Sequence, residues 1–182
     1  MSVVFMGDSH LARVRRSLAV INAEVRNLAV GGSTVVDLET QLRELDDARE
    51  GREGIVNLSI GTNDAAPWRG ISVDTFANGL AGTLTTLGGE DVIYLAPPGV
   101  VEERLPADAP WTNAAIDDYR SAALDVCRIH GAQVIRADDI VKPFGPNAFS
   151  EDGVHLSGTG YRALLPVINT LSASENPVPQ GR

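Results

Sequence analysis

The sequence has a single cysteine, Cys127, and no long apolar run. One cysteine cannot form an intramolecular disulfide, so the fold does not depend on an oxidising compartment, and we expect Cys127 to pack as a small apolar group. A membrane-spanning helix needs about 20 consecutive apolar residues, which occur nowhere in the chain. The opening residues MSVVFMGDSH lack the charged start and apolar stretch of a secretory signal. We therefore expect a soluble, cytoplasmic protein without a membrane span.

Basic residues are also scarce. The 24 aspartates and glutamates outnumber the 15 lysines and arginines, which gives a formal net charge of −9 at pH 7. Because nucleic acids and anionic membranes bind basic surfaces, we expect neither as a partner. The basic cluster of Arg13, Arg15 and Arg16 is interpreted as a solvated helix face.

Histidine is limited to His10, His130 and His155, which lie far apart in the sequence. Metal sites draw on several His, Cys, Asp or Glu ligands at short spacings, so we expect no metal. GTGYRA at 158–163 has the glycine spacing of a dinucleotide fingerprint, but it follows a turn instead of a strand. We expect no organic cofactor.

The hydrophobic residues, 43% of the total, form short β-branched runs that alternate with longer amphipathic segments. The runs predict strands at 2–6, 24–30, 54–60, 91–96 and 132–137. The amphipathic segments predict helices at 9–19, 34–48, 73–87, 112–130 and 157–172. Such alternation is typical of a parallel sheet covered on both faces. The sequence thus predicts one α/β domain over 1–172, a three-layer α/β/α sandwich with a five-stranded parallel sheet.

Three further features concern the second half of the chain. His130 and Gly131 end the fourth predicted helix, with a cation near its negative end and a glycine for the left-handed stop. Pro166 is expected to kink the last helix or to shift its start. Residues 173–182 lack apolar periodicity and are expected to form a flexible tail.

Three of the predicted strands are followed by loops of glycine and small polar residues: GDSH (7–10), GGST (31–34) and GTND (61–64). All strand-to-helix loops of a parallel sheet lie at its carboxyl edge, where ligands bind. Asp8 or Ser9 could simply cap a helix, but a serine at a helix N-terminus is also suited to nucleophilic attack. Gly31 and Gly32 allow close backbone approach to a ligand. Asn63 offers an amide donor to an oxyanion, although an ordinary Asn-Asp turn is an equal explanation.

A fourth loop, EDGVHLS (151–157), carries Asp152 and His155. Asp-Gly is ordinary turn chemistry, and Ser157 or Thr159 could cap the helix that follows. An imidazole can also accept the proton of a serine hydroxyl, and a neighbouring carboxylate orients such a ring. We interpret Asp152 and His155 as the acid-base pair of a Ser-His-Asp triad.

Together the four loops resemble the sequence blocks of the SGNH (GDSL-type) superfamily of esterases and lipases, which are centred on Ser, Gly, Asn and His. The resemblance extends from about residue 3 to residue 172. It departs from the usual pattern at His10, where Leu is usual, and at Ala29, where Gly is common. It implies a flavodoxin-like fold and a catalytic triad of Ser9, Asp152 and His155.

The resemblance also implies an oxyanion hole. Its donors would be the backbone N–H groups of Ser9 and Gly32 and the side-chain amide of Asn63, with Gly31 as the alternative to Gly32. Three residues are expected to contact substrate: Asp8, Trp68 and Trp111. Arg69, beside Trp68, is expected at the same rim.

We therefore expect a serine esterase that hydrolyses small carboxylic esters with a short acyl group. O-acetyl groups on a carbohydrate are one candidate substrate. The chain is too short for a lid insertion, which favours an open cleft. One alternative keeps the triad and changes the substrate to an acyl thioester or a lysophospholipid. The other is a non-catalytic binding module on the same fold. The partner in the leading hypothesis is a small-molecule ester, and the oligomeric state is not indicated.

Overall fold

The structure is a computed structural model that describes residues 2–16, 21–46 and 54–173. Its strands are β1 (Ser2–Gly7), β2 (Glu24–Asn27), β3 (Gly54–Ser59), β4 (Val92–Ala96) and β5 (Gln133–Arg136). Its α-helices are α1 (Ser9–Ala12), α2 (Leu38–Asp46), α3 (Val73–Leu87), α4 (Asn113–His130), α5 (Ala137–Val141) and α6 (Gly158–Ala173). Short 3₁₀ turns cover Arg13–Arg16, Val35–Asp37, Pro67–Arg69, Gly89–Asp91, Glu102–Arg104 and Lys142–Ala148.

All five strands pair in parallel, in the order β2-β1-β3-β4-β5. This is the flavodoxin-like order, and it confirms the predicted fold class. The chain first moves outward from β1 to β2 and then returns to the other side of β1 for β3. The order therefore reverses at β1, and a crevice opens at the carboxyl ends of β1 and β3.

Helices cover both faces of the sheet because successive strand residues point to opposite sides. Val4 and Met6 of β1 pack in one core cluster with residues of α2, α3 and α4. Val3 and Phe5 pack in the other cluster with residues of α1, α5 and α6. These two clusters give the three layers that the alternating sequence pattern predicts.

The junction of β1 and β3 is unusually close at Gly7. Gly7 has a φ of +108°, and a Cβ atom built there would lie 1.8 Å from the backbone oxygen of Ser59. Asp8 then donates its backbone N–H to the same Ser59 oxygen at 2.8 Å. Only glycine fits this turn, which brings the chain directly from β1 into α1.

Some element boundaries differ from the predicted ones. The second strand ends at Asn27 instead of residue 30, because the Asn27 side chain accepts the backbone N–H of Ala29 at 3.0 Å and forms a turn. The first helix changes to a 3₁₀ turn at Arg13, and residues 17–19 of its predicted span lie outside the described residues. The predicted helix at 34–48 begins with a 3₁₀ turn, and residues 47 and 48 of its span are also outside.

The second half of the chain follows its predicted elements closely, with one addition. Gly131 ends α4 in the left-handed conformation at φ 76°, as expected. Helix α6 begins at Gly158 and continues through Pro166, so the proline does not determine its start. Helix α5 and the 3₁₀ turn after it had no predicted counterpart. Ala173 still belongs to α6, and the rest of the expected tail lies outside the described residues.

Candidate active site

The four loops singled out in the sequence converge on one cavity of about 640 Å³, which we call the site cavity. Residues of all four loops line it: Ser9, Gly31, Gly32, Asn63, Asp152, Val154 and His155. The remaining lining residues come from the α1 region and from the segment before α4: Ala12, Arg13, Pro106, Ala109 and Trp111. The cavity lies at the carboxyl edge of the sheet, where β1 and β3 end.

Ser9 is the first residue of α1 and is 8% exposed. Asp8 caps the helix, since its Oδ1 accepts the backbone N–H of His10 at 3.0 Å. The Ser9 side chain is thus not needed for capping, and Ser9 lines the site cavity at the positive end of the helix. The two sequence interpretations therefore apply to different residues: Asp8 caps, and Ser9 faces the cavity.

Asp152 and His155 form a directly hydrogen-bonded pair. Asp152 Oδ2 lies 2.7 Å from His155 Nδ1, and Asp152 Oδ1 accepts the backbone N–H groups of Val154 at 3.0 Å and His155 at 2.9 Å. Partial burial raises the pKa of Asp152, but these donors outweigh it and lower that pKa to about 2. Asp152 is therefore a carboxylate at neutral pH, and the pair leaves His155 Nε2 as the ring nitrogen without this contact.

The loop that carries the pair is held from outside by the segment after β4. The Arg104 guanidinium donates to the backbone oxygens of Pro146 at 2.9 Å and Ser150 at 3.1 Å. Val101 donates its N–H to the oxygen of Gly153 at 2.7 Å. Behind the loop, Ser157 Oγ accepts the N–H of Thr159 at 3.1 Å, so Ser157 caps α6. Both ends of the loop are thus fixed to regular structure.

Glycines and an asparagine also line the cavity. Gly31 and Gly32 both line it, and Gly32 has a φ of +83°. Asn63 is 8% exposed and donates one amide hydrogen from Nδ2 to the backbone oxygen of Ser33 at 3.0 Å. A carboxamide carries two N–H donors, so this bond fixes the group and leaves the second donor for a ligand. Arg69 Nη2 donates to the Gly32 oxygen at 3.1 Å and supports the same loop from outside.

Asp8 was expected to contact substrate, and this prediction is wrong. The side chain has no exposed surface, does not line the cavity, and accepts from Ser59 Oγ at 3.1 Å beneath the site. Burial raises the pKa of Asp8 to about 7. Asp64 is buried on the same side of the sheet edge, where burial raises its pKa to about 6. Asp64 Oδ1 accepts the Val35 N–H at 2.7 Å and joins the third loop to the second.

His10, the residue after Ser9, is fully buried. Its ring centroid lies 6.3 Å from that of His155, so the His10 ring lies close to the site. Burial, followed by the positive charges of His155 and Arg13, lowers the pKa of His10 to about 3. His10 is therefore a neutral imidazole, and it packs where the usual Leu of this block would stand.

The two tryptophans form one aromatic edge of the cavity. Trp111 lines the cavity and donates its ring N–H to the Thr62 oxygen at 2.9 Å. Trp68 is half exposed and packs edge-on against Trp111, with a centroid distance of 4.8 Å. Trp111 thus forms part of the cavity wall, whereas Trp68 does not line the cavity and packs against Trp111.

Gln41 is a residue near the site that the sequence interpretation missed. It lies in α2, is 2% exposed, and its carboxamide contacts the loops of Ser9 and Gly32. A signal was present: a polar residue occupies the helix stripe formed by Leu38, Leu42 and Leu45. A buried amide in an apolar stripe needs a specific partner.

Over residues 2–16, 21–46 and 54–173, no three His, Cys, Asp or Glu side chains are grouped so as to hold a metal ion. None of the helices in these ranges has the length and apolar character that crossing a membrane requires.

Comparison with known proteins identifies the class. The sequence model of the GDSL-like lipase/acylhydrolase family matches residues 6–163, and the chain belongs to this family. It is therefore a hydrolase of the GDSL (SGNH) type. A search of curated proteins gives no match.

Solved structures share the fold. A lipase/acylhydrolase from Enterococcus faecalis is 25% identical, with a TM-score of 0.81 over 93% of this chain and 94% of that one. The acetylxylan esterase Axe2 from Geobacillus stearothermophilus is 18% identical, with a TM-score of 0.71 over 96% of this chain and 94% of that one. LAE5, an alpha/beta hydrolase from the metagenome of Lake Arreo, is 20% identical, with a TM-score of 0.67 over 96% of each chain.

Proposed function

We propose that this protein is a serine esterase that hydrolyses small carboxylic esters through an acyl-Ser9 intermediate. The observation that carries the proposal is the Asp152–His155 pair, whose histidine lines the same cavity as Ser9. A serine hydroxyl is a poor nucleophile unless a base accepts its proton, and an imidazole oriented by a carboxylate is such a base.

In the proposed reaction, Ser9 Oγ attacks the ester carbonyl carbon while its proton passes to His155 Nε2. Asp152 stabilises the imidazolium through Nδ1. The imidazolium then protonates the departing alkoxide, the carbon-oxygen bond to the alcohol breaks, and acyl-Ser9 remains. Water, activated by His155, hydrolyses the acyl group and restores the serine.

The negative oxygen of the tetrahedral intermediate would be met by three donors. These are the backbone N–H of Ser9, the backbone N–H of Gly32 and the free amide hydrogen of Asn63. Ser9 begins a helix, so its N–H lacks an intrahelical partner. Gly31 lines the same wall and is the alternative backbone donor. Each such donor, aimed before the reaction starts, is typically worth about 3 kcal/mol in the transition state.

The cavity favours a short acyl group. Trp111, Pro106 and Ala109 close one side of a space of about 640 Å³, which is enough for a compact ester. The exposed ring of Trp68 beside Trp111 suits a flat or sugar-like alcohol.

Axe2 supports the proposed triad. Its solved forms include catalytic mutants with Ala in place of a Ser, an Asp or a His, and the Asp and the His are three positions apart, as are Asp152 and His155.

A chain-length series tests the substrate class. We expect kcat/KM for nitrophenyl esters to be highest at two to four acyl carbons and to fall by at least about tenfold at eight, because a long acyl chain would meet the wall formed by Trp111, Pro106 and Ala109. A maximum at eight carbons or more would instead favour a lysophospholipase. Faster turnover of acetyl thioesters than of acetyl esters would favour a thioesterase.

Covalent labelling tests the enzyme class independently. We expect a fluorophosphonate to add one adduct per chain, located on the peptide that contains Ser9 by mass spectrometry. Absence of both the adduct and ester turnover would leave the non-catalytic binding module as the better description.

A further inference from the structure

Two arginines border the site cavity and have no carboxylate partner among the described residues. Arg13 lines the cavity directly, one helical turn after Ser9, and its side chain is exposed. Arg69 touches the cavity wall through the Gly32 oxygen. Within the described ranges, neither guanidinium forms an ion pair with a carboxylate.

The carboxylates near the cavity are held by groups other than Arg13. Asp152 lines the cavity, and its oxygens contact the His155 ring and two backbone N–H groups. Asp8 and Asp64 are buried and do not line the cavity. Arg13 thus places an exposed guanidinium at the cavity in a protein whose formal net charge is −9. An exposed guanidinium at a cavity can attract an anionic ligand.

The position of Arg13 also indicates which part of the ester would carry the charge. Arg13 is near enough to the buried His10 to lower its pKa, and the His10 ring lies 6.3 Å from the His155 ring, so Arg13 lies on the histidine side of the cavity. In the proposed reaction the alcohol leaves on that side, since His155 protonates it. The carbonyl oxygen points to the opposite side, toward Gly32 and Asn63.

We propose that the site prefers esters whose alcohol portion bears an anionic group such as a carboxylate, with Arg13 as the residue that binds it and Arg69 adding positive potential. This inference rests on the proposed esterase function and specifies its substrate class. A guanidinium pairs well with a carboxylate, and a pair at the mouth of a cavity is partly protected from solvent.

The experiment compares two acetate esters that differ in charge: 4-carboxyphenyl acetate and phenyl acetate. Each kcat/KM is divided by the rate of alkaline hydrolysis of the same ester, which removes the difference in leaving-group reactivity. We expect a ratio of about five- to tenfold in favour of the anion at low salt, falling toward one in about 0.5 M NaCl. In Arg13→Gln the low-salt ratio should also fall toward one.

Arg128→Gln is the matched control, because it removes the same charge from an exposed position on α4 that is paired only with Asp125. Its ratio should remain that of the wild type. A wild-type ratio of one or less would overturn the inference, and so would equal ratios in Arg13→Gln and Arg128→Gln. In either case, turnover of phenyl acetate would still support the esterase assignment. Failure of the wild type to hydrolyse either ester would refute the proposed function itself.

A separate observation assigns a positioning role to Gln41. Its Oε1 accepts the Gly7 N–H at 2.6 Å, and its Nε2 donates to the Gly7 oxygen at 3.0 Å and to Ser33 Oγ at 3.2 Å. Gly7 is two residues before Ser9, and Ser33 directly follows Gly32. One buried carboxamide thus joins the loop of Ser9 to the loop of Gly32 and fixes their separation.

This arrangement needs both a donor and an acceptor in one planar group, which gives it a distinctive pH signature. In Gln41→Glu, the protonated acid supplies an O–H donor, whereas the carboxylate would face the Gly7 oxygen without a hydrogen. We expect the ratio of variant to wild-type kcat to rise by about tenfold as the pH falls from about 8 to about 6, with KM little changed.

Gln133→Glu in β5 is the control, and its ratio should not vary with pH in this way. Gln41→Met, which has neither donor nor acceptor, should show a kcat about tenfold lower at every pH. Melting temperatures measured alongside separate this effect from loss of fold. A flat ratio in a folded Gln41→Glu, or a wild-type kcat in Gln41→Met, would overturn the role of Gln41 without affecting the esterase assignment.

Discussion

Replacing Ser9 by alanine is expected to lower kcat for nitrophenyl acetate by about 10⁴-fold or more, and replacing His155 should have an effect of the same order. Without the Ser9 hydroxyl no acyl-enzyme forms, and without the imidazole the hydroxyl keeps its proton. Because the two groups act in one step, the double variant should be little worse than either single variant. The loss of kcat in Asp152→Asn should be of the same order, since the His155 ring then loses its charged partner at 2.7 Å.

The measurement is initial-rate kinetics on purified protein, with fluorophosphonate labelling as a second readout. Ser121→Ala and His130→Ala are matched controls in α4, far along the chain from the four loops, and both should retain wild-type kcat. Undiminished turnover in Ser9→Ala or His155→Ala would refute the assigned chemistry. Additive losses in the double variant would show that the two residues do not act together.

Asn63→Ala is expected to lower kcat by about 10²- to 10³-fold and to leave KM nearly unchanged. The amide hydrogen that is not bonded to Ser33 would stabilise charge that appears only in the transition state, so its loss affects the chemical step more than substrate binding. The comparison requires kcat and KM from full saturation curves for the acetyl ester.

Asn78→Ala provides the control for Asn63, because Asn78 is an exposed residue of α3 and its loss should not change kcat. The Asn63 side chain also holds the Ser33 oxygen, so melting temperatures must be compared. A proportional rise in KM with constant kcat would assign Asn63 to ground-state binding and would contradict its proposed place in the oxyanion hole.

Much of the fold could be predicted because local sequence and tertiary structure agree. In α3 the predicted span of 73–87 is reproduced, since Ser72 caps the helix and Phe76, Leu80 and Leu84 recur on one face. The loops after β1, β2 and β3 could be placed at one edge for a topological reason: parallel strands all end there.

The residues that sequence reasoning missed depend on contacts between distant parts of the chain. Gln41 is 34 residues from Gly7, and no local pattern specifies which backbone group its amide will meet. Asp8 carries a motif position, yet only the packing of α1 on the sheet shows that it is buried. Helix α5 is five residues long, and Pro143 and Pro146 follow it, so its own sequence is a weak helix signal.

The docking of α6 has a consequence for how this enzyme loses activity. Tyr161 donates its hydroxyl to the His10 oxygen at 2.8 Å, and Asn57 donates to Ser172 at 3.1 Å, so the last helix is tied to the first third of the chain. A transient detachment of that helix would move His155, the proposed base, away from Ser9 while the sheet remained intact. We therefore expect esterase turnover to respond to partial unfolding. During denaturation, turnover should be lost before the strands of the sheet unfold.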